Sequence, residues 1–177
     1  MSSVINGGYY YQPHLVTKIL DSSGGTVKTI TPTLLKQTIS SAISSDIRSY
    51  MELSVQQGTS RHSKVQGYSS GGKTGTAEKY PRGNGKYLVS FIGFAPVDDP
   101  AVVIYVVVDE PNVDDQANST YAQYIAQGIL SELLPYLNVT PDEAENGTVP
   151  ETELWEGFKG HLKSTTSSSS LNSDGNL

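Results

Sequence analysis

The sequence predicts an α+β fold, an antiparallel sheet with helices packed on it, and three observations carry that prediction. Residues 87–95 and 101–108 are two runs rich in β-formers, with Pro96-Val97-Asp98-Asp99-Pro100 as the turn between them. Residues 116–134 then read as a helix that ends at Pro135. Upstream, apolar residues recur every four positions from Leu35 to Val55, the stripe of a second helix. Strands followed by a helix that folds back on them make an α+β layout.

From the N-terminus, Asn6-Gly7-Gly8 is a turn cluster in a loop. Residues 14–20 and 26–30 read as a hairpin around Asp21-Ser22-Ser23-Gly24-Gly25, with Pro13 confining the first strand to an edge or a late start. His14 has no companion motif and reads as a half-buried loop histidine rather than a general base. Thr31 and Pro32 are suited to N-cap and first-turn positions. The stripe Leu35, Ile39, Ile43, Ile47, Met51 and Val55 follows, Ser44-Ser45-Asp46 offers a break with Ser45 as a new cap, and Gly58 closes the helix. Residues 74–80 form the first strand of the sheet, joined through an 81–86 loop to the strand at 87–95. The unbroken apolar character of 101–108 predicts burial on both faces. In the last helix Ala117, Tyr121, Ile125, Gly128, Ile129 and Leu133 lie near one face.

Composition narrows the function classes. The chain has 177 residues and a net charge of −6, which suggests one domain plus extras and argues against nucleic acid or a polybasic membrane patch as partner. With no cysteine there is no disulfide or thiolate metal site. No apolar run reaches the length of a membrane span, and Met1-Ser2-Ser3-Val4 lacks the pattern of a signal peptide. The ordered domain is expected over residues 1–137. Residues 138–177, acidic and then serine-rich, are expected to be a largely disordered tail. Within that tail Leu154, Trp155, Phe158 and Leu162 could form a short amphipathic helix for a partner. The sequons at Asn118, Asn138 and Asn146 carry little weight.

The motif-dense stretch is residues 67–80. Gly67 to Thr74 fits the P-loop pattern GxxxxGK[ST], residues 67–71 fit GxSxG, Ser70 to Lys73 fits SxxK, and Lys73-Thr74-Gly75 fits KTG. The first three need a helix, and the sequence opposes one. Gly75, Pro81, Gly83 and Gly85 follow the P-loop and elbow matches, and Gly71-Gly72 lies inside the SxxK match. KTG needs only a strand that lines a cleft, and it fits.

Four motifs in order then carry a specific resemblance: Ile5-Asn6-Gly7-Gly8, Pro13-His14-Leu15-Val16, Gly72-Lys73-Thr74-Gly75-Thr76-Ala77, and Ser90-Phe91-Ile92-Gly93-Phe94-Ala95-Pro96. Residues 4–137 resemble the C-terminal part of the transpeptidase domain of class B penicillin-binding proteins, the bacterial enzymes that cross-link peptidoglycan. The resemblance implies a partial serine β-lactamase/D,D-peptidase-like fold acting outside the cytoplasmic membrane of the parent cell. It implies no cofactor. Its substrate would be a D-Ala-D-Ala stem peptide, and β-lactams would bind the same site. It also implies roles. Lys73 would hold the substrate carboxylate and help move protons, and Thr74 and Thr76 would hydrogen-bond that carboxylate. The Thr76 N–H would be half of an oxyanion hole, and Gly75 would let the substrate backbone approach.

The family also has an SxxK nucleophile on a helix and an SxN motif, both well before KTG. Neither has a credible copy here, because Ser70 to Lys73 overlaps KTG and Ser170-Leu171-Asn172 lies in the tail. The chain is therefore expected to be inactive alone and, with apolar surface uncovered, to self-associate. Two readings from other classes stand beside this one. A P-loop NTPase would use residues 67–74 with Asp109-Glu110 as a Walker B mimic. A non-catalytic module would bind through the tail.

Overall fold

The computed structural model describes residues 1–143. A one-turn helix α1 (Ser2–Ile5) leads into strand β1 (Tyr9–Tyr11), in place of the expected loop. Gly7 and Gly8 between them have φ of +89° and +91°, and a Cβ on Gly8 would collide with the Ile39 carbonyl. Only glycine fits there. The Asn6 side chain clamps the turn, accepting the Tyr9 N–H and donating to the Tyr9 carbonyl, both at 2.9 Å.

The hairpin β2 (Lys18–Leu20) and β3 (Thr26–Thr29) forms as expected. Its turn is tied by Asp21, whose carboxylate accepts from Ser23 Oγ at 2.6 Å and the Gly25 N–H at 2.8 Å. The next segment departs from the expected helix. Residues Leu34–Gln37 are strand β4, antiparallel to β1 with Tyr9 opposite Gln37. An available strand partner outweighs a modest helix propensity here. The helix α2 runs from Ser41 to Gln56, capped by the Ser40 hydroxyl and not by Thr31. It does not break at Ser44. That buried serine donates to the Val4 carbonyl at 2.6 Å and accepts the Gly7 N–H at 3.0 Å, so it pins α1 to α2.

After a 3-10 turn at Arg61–Ser63 come β5 (Gly71–Glu78), β6 (Tyr87–Ala95) and β7 (Val102–Asp109), an antiparallel meander in the order β5-β6-β7. Helix α3 (Thr120–Tyr136) packs over β6 and β7. It buries Phe91 with Ala122 and Ala126, while a second cluster joins Val65, Tyr68, Ala95, Leu130 and Leu134. On the other side Phe94 packs with Ile5, Val97 and Met51, the last from α2.

Two expectations about these elements are corrected. The main buried stripe of α3 is Ala122, Ala126, Leu130 and Leu134; of the expected face Tyr121 is buried, whereas Ile125 and Ile129 are exposed. Small alanines let the helix sit close over the Phe91 ring, which the neighbouring isoleucine stripe would prevent. In β7, Ile104, Val106 and Val108 pack on the α3 side, whereas Val103, Tyr105 and Val107 are 41%, 61% and 43% exposed. A continuous apolar run reads as two-faced burial, yet α3 covers one face only.

Candidate active site

Residues 73–76 lie in the middle of β5, whose single sheet neighbour among the described residues is β6. The register places Lys73 opposite Ile92, which is opposite Tyr105, and Gly75 opposite Ser90 and Val107. Side chains alternate along a strand, so Lys73 and Gly75 share the open face with Tyr105 and Val107. Thr74 and Thr76 share the other face with Phe91 and Val89, towards α3.

Despite that alternation, Lys73 and Thr74 meet. The Lys73 ammonium donates to the Thr74 carbonyl at 2.8 Å and lies 3.4 Å from Thr74 Oγ1. Thr74 Oγ1 is also 3.5 Å from Thr59 Oγ1, in the segment after α2. Thr76 is held separately, its hydroxyl donating to the Ala117 carbonyl at 3.2 Å in the loop before α3. Lys73 and Thr76 are exposed, and Thr74 and Gly75 half-buried. The arrangement presents an ammonium and hydroxyls along an edge strand, the chemistry needed to hold a carboxylate.

The glycines before Lys73 have a steric reason. A Cβ on Gly71 would come within 2.5 Å of the Phe94 ring, and one on Gly72 would strike the Phe91 ring. The two phenylalanines of β6 lie against the strand from opposite faces and leave room for nothing larger.

The rival patterns lose their geometry. No helix follows Thr74, because residues Gly71–Glu78 are strand, so a P-loop is ruled out. Asp109 and Glu110, the Walker B mimic, pair instead with Lys79 at 3.0 and 2.7 Å, and Glu110 also with Lys86 at 3.0 Å. Ser70 is buried without a hydrogen-bond partner for its hydroxyl, and the Lys73 ammonium is turned to Thr74. Ser69, the GxSxG serine, donates its hydroxyl to the Asp142 carboxylate and accepts the Val97 N–H at 2.8 Å.

Sequence reasoning missed two features. His62 donates its backbone N–H to the buried Gln123 side chain at 3.1 Å, and its ring lies 3.3 Å from the Tyr124 hydroxyl. Burial, with help from Arg61, holds the His62 pKa below the usual imidazole value. The clue in the sequence is Gln123, a polar residue between the apolar Ala122 and Ala126 of α3. The second is the segment 138–143, assigned from sequence to the tail. Val139 packs on the core cluster of Val65 and Tyr68, and Asp142 and Glu143 both donate backbone N–H groups to the Gly67 carbonyl. His14 sits exposed in the loop between β1 and β2, 3.3 Å from the Gln12 carbonyl. The Asn118 side chain of the first sequon accepts the Thr120 N–H at 3.0 Å at the start of α3. Leu154, Trp155, Phe158 and Leu162 lie outside the described residues.

Comparison with known proteins agrees with this geometry. The family profile of the penicillin-binding protein transpeptidase domain matches residues 1–131. Stage V sporulation protein D of Bacillus subtilis is 44% identical over 147 residues, which cover 80% of this chain and 22% of that protein. A probable peptidoglycan D,D-transpeptidase PenA of Neisseria flavescens is 32% identical over 118 residues, covering 64% of this chain and 29% of that protein. Among solved structures, penicillin-binding protein 3 of Mycobacterium tuberculosis in complex with ampicillin superposes with a TM-score of 0.67 at 25% identity, over 82% of this chain and 36% of that one. The D,D-transpeptidase domain of an Eggerthella lenta peptidoglycan glycosyltransferase gives 0.60 at 29% identity, over 75% and 31%. This chain therefore spans about a third or less of these relatives. It belongs to the penicillin-binding protein transpeptidase family, with the corresponding part of the β-lactamase/D,D-peptidase-like fold.

Proposed function

From that membership we propose that residues 73–76 form one wall of a serine D,D-transpeptidase site for peptidoglycan stem peptides. The observation that carries this is the convergence of the Lys73 ammonium and the Thr74 hydroxyl on an edge strand. Lys73 holds the terminal carboxylate of D-Ala-D-Ala, with Thr74 as a further donor and Thr76 another once its hydroxyl turns from the Ala117 carbonyl, and Gly75 leaves space for the peptide backbone. A serine hydroxyl attacks the penultimate D-Ala carbonyl carbon, and the Thr76 N–H stabilises the resulting oxyanion. The bond to the terminal D-Ala nitrogen then breaks, that nitrogen taking up a proton. The amine of a second stem peptide resolves the serine ester. A β-lactam presents the same carboxylate and an amide carbonyl, and so enters the same reaction as far as the ester.

The attacking serine belongs to the parent protein outside this chain, and this chain alone is inactive. Supporting that reading, Ser69 is engaged by Asp142 and Val97, and Ser70 is buried. Because the substrate is the cell wall, the site works on the outer side of the cytoplasmic membrane. No helix among the described residues is long and apolar enough to cross one. The open sheet face of Val103, Tyr105 and Val107 makes the isolated chain self-associate.

Fluorescent penicillin tests the central claim. The isolated chain is expected to form no covalent adduct, whereas the intact parent protein forms one. Lys73→Ala in the parent should slow acylation roughly ten- to hundredfold, a hydrogen bond to a charged group being worth about 1.5–3 kcal/mol. An adduct on the isolated chain, or a Lys73→Ala parent that acylates normally, would sink the proposal. Concentration-dependent sedimentation of the isolated chain checks the self-association.

A further inference from the structure

We propose that Asp142 is a positioning residue for the 73–76 strand, acting through Ser69; this rests on the transpeptidase reading. The segment after α3 turns back at Val139, whose carbonyl accepts the Tyr68 hydroxyl at 3.1 Å. It then runs past residues 64–69, the stretch that feeds β5. Asp142 accepts the Ser69 N–H at 2.7 Å on one carboxylate oxygen and the Ser69 hydroxyl on the other. In return the Gly67 carbonyl accepts the Asp142 and Glu143 N–H groups at 3.1 and 3.2 Å. Lys64 pairs with Glu143 at 3.4 Å. Two groups of the irregular backbone before β5, the Gly67 carbonyl and the Ser69 N–H, are thus satisfied by Asp142 and Glu143.

The Ser69 hydroxyl extends the clasp to a third element. It accepts the Val97 N–H at 2.8 Å, just beyond the point where Gly71 pairs with Phe94. Asp142, Ser69 and Val97 therefore join the segment after α3, the entry of β5 and the exit of β6. The placement matters because β5 begins Gly71-Gly72, two residues with no side chain to anchor them and a wide choice of backbone angles. The clasp ends two residues before that glycine pair, and Lys73 follows it directly. An oxyanion donor and a carboxylate-binding ammonium lose much of their effect when misplaced by an ångström. Holding Ser69 is a way to hold Thr76.

Two measurements test this, one independent of the reaction. In the chain itself, amide hydrogen exchange should rise at least tenfold across residues 67–74 in Asp142→Ala, with α3 residues 122–130 unchanged. Uniform acceleration, or none, would overturn the clasp. In the parent protein, Asp142→Ala should lower the acylation rate constant with fluorescent penicillin about tenfold. Asp142→Asn, which keeps an acceptor for the Ser69 N–H, should recover part of that loss. Ser69→Ala should slow the Asp142→Ala protein by less than it slows the wild type, because Asp142 acts through Ser69. A merely structural role would reduce the fraction of protein that reacts and leave the rate constant of the reactive fraction intact, and that result overturns the proposal. If the wild-type parent forms no adduct, the transpeptidase reading fails, and the exchange measurement still decides whether Asp142 clasps the strand.

Discussion

The two faces of the β5-β6-β7 sheet are built from the same kinds of residue and end up in opposite environments. Towards α3, Phe91, Ile104, Val106 and Val108 are closed over by Ala122 and Ala126. On the other face Ile92 and Ser90 are half-buried, Val103, Tyr105 and Val107 stand exposed, and Lys73 rises among them. At one end of that face α2 supplies Met51 against Phe94, and there the cover stops. The difference teaches that stability and chemistry are divided between the faces. The α3 face holds the strands in register, and the open face displays what they carry.

The largest effect should come from the closed face. Phe91→Ala removes the ring on which Ala122 and Ala126 sit, and should cost about 3–5 kcal/mol in denaturant unfolding. Adding atoms there should cost less. Gly72→Ala drives a methyl into the same ring, for about 1–3 kcal/mol of overpacking. Ile92 on the open face tolerates what Phe91 does not, and similar losses at the two positions would end the comparison.

A smaller effect concerns acid. His62, beside Tyr124 and Gln123 of α3, has its pKa lowered in the folded state, by burial first and Arg61 second. The folded protein thus prefers the neutral ring. The stability this contributes is complete above the unfolded value near 6.5 and is lost as pH falls through the lower folded value. The denaturation midpoint should therefore drop between pH 8 and pH 5, and drop less in His62→Gln. Equal drops would remove His62 from the account. The smallest effect is expected on the open face, where Tyr105→Thr should change stability by no more than about 0.5 kcal/mol.

Much of the sheet was legible because its signals are local. The bounds of β6 at 87–95 follow from an unbroken β-forming run between a glycine-rich loop and Pro96, and the structure reproduces them. The KTG strand is legible because glycine and proline exclude the helix that the three rival patterns need, a property of the chain alone. What failed was decided by partners distant in sequence. The residues of β4 form a strand because β1 lies beside them, from Tyr11 opposite Leu34 to Tyr9 opposite Gln37. The start of β5 at Gly71, three residues before the expected start, depends on Phe91 and Phe94 across the ladder. Asp142 was lost in an acidic, turn-rich stretch because nothing nearby marks it as the partner of Ser69, 73 residues away.

The sequence by itself determined the order of β5, β6, β7 and the closing helix, and the residue chemistry of the 73–76 strand. Local steric preference and side-chain type suffice for those. Only the tertiary structure decided which stripe of α3 is buried, which face of β7 stays open, and how Lys73 and Thr74 come to meet. An apolar side chain reads the same whether or not something covers it, and cover is a property of the elements brought against it.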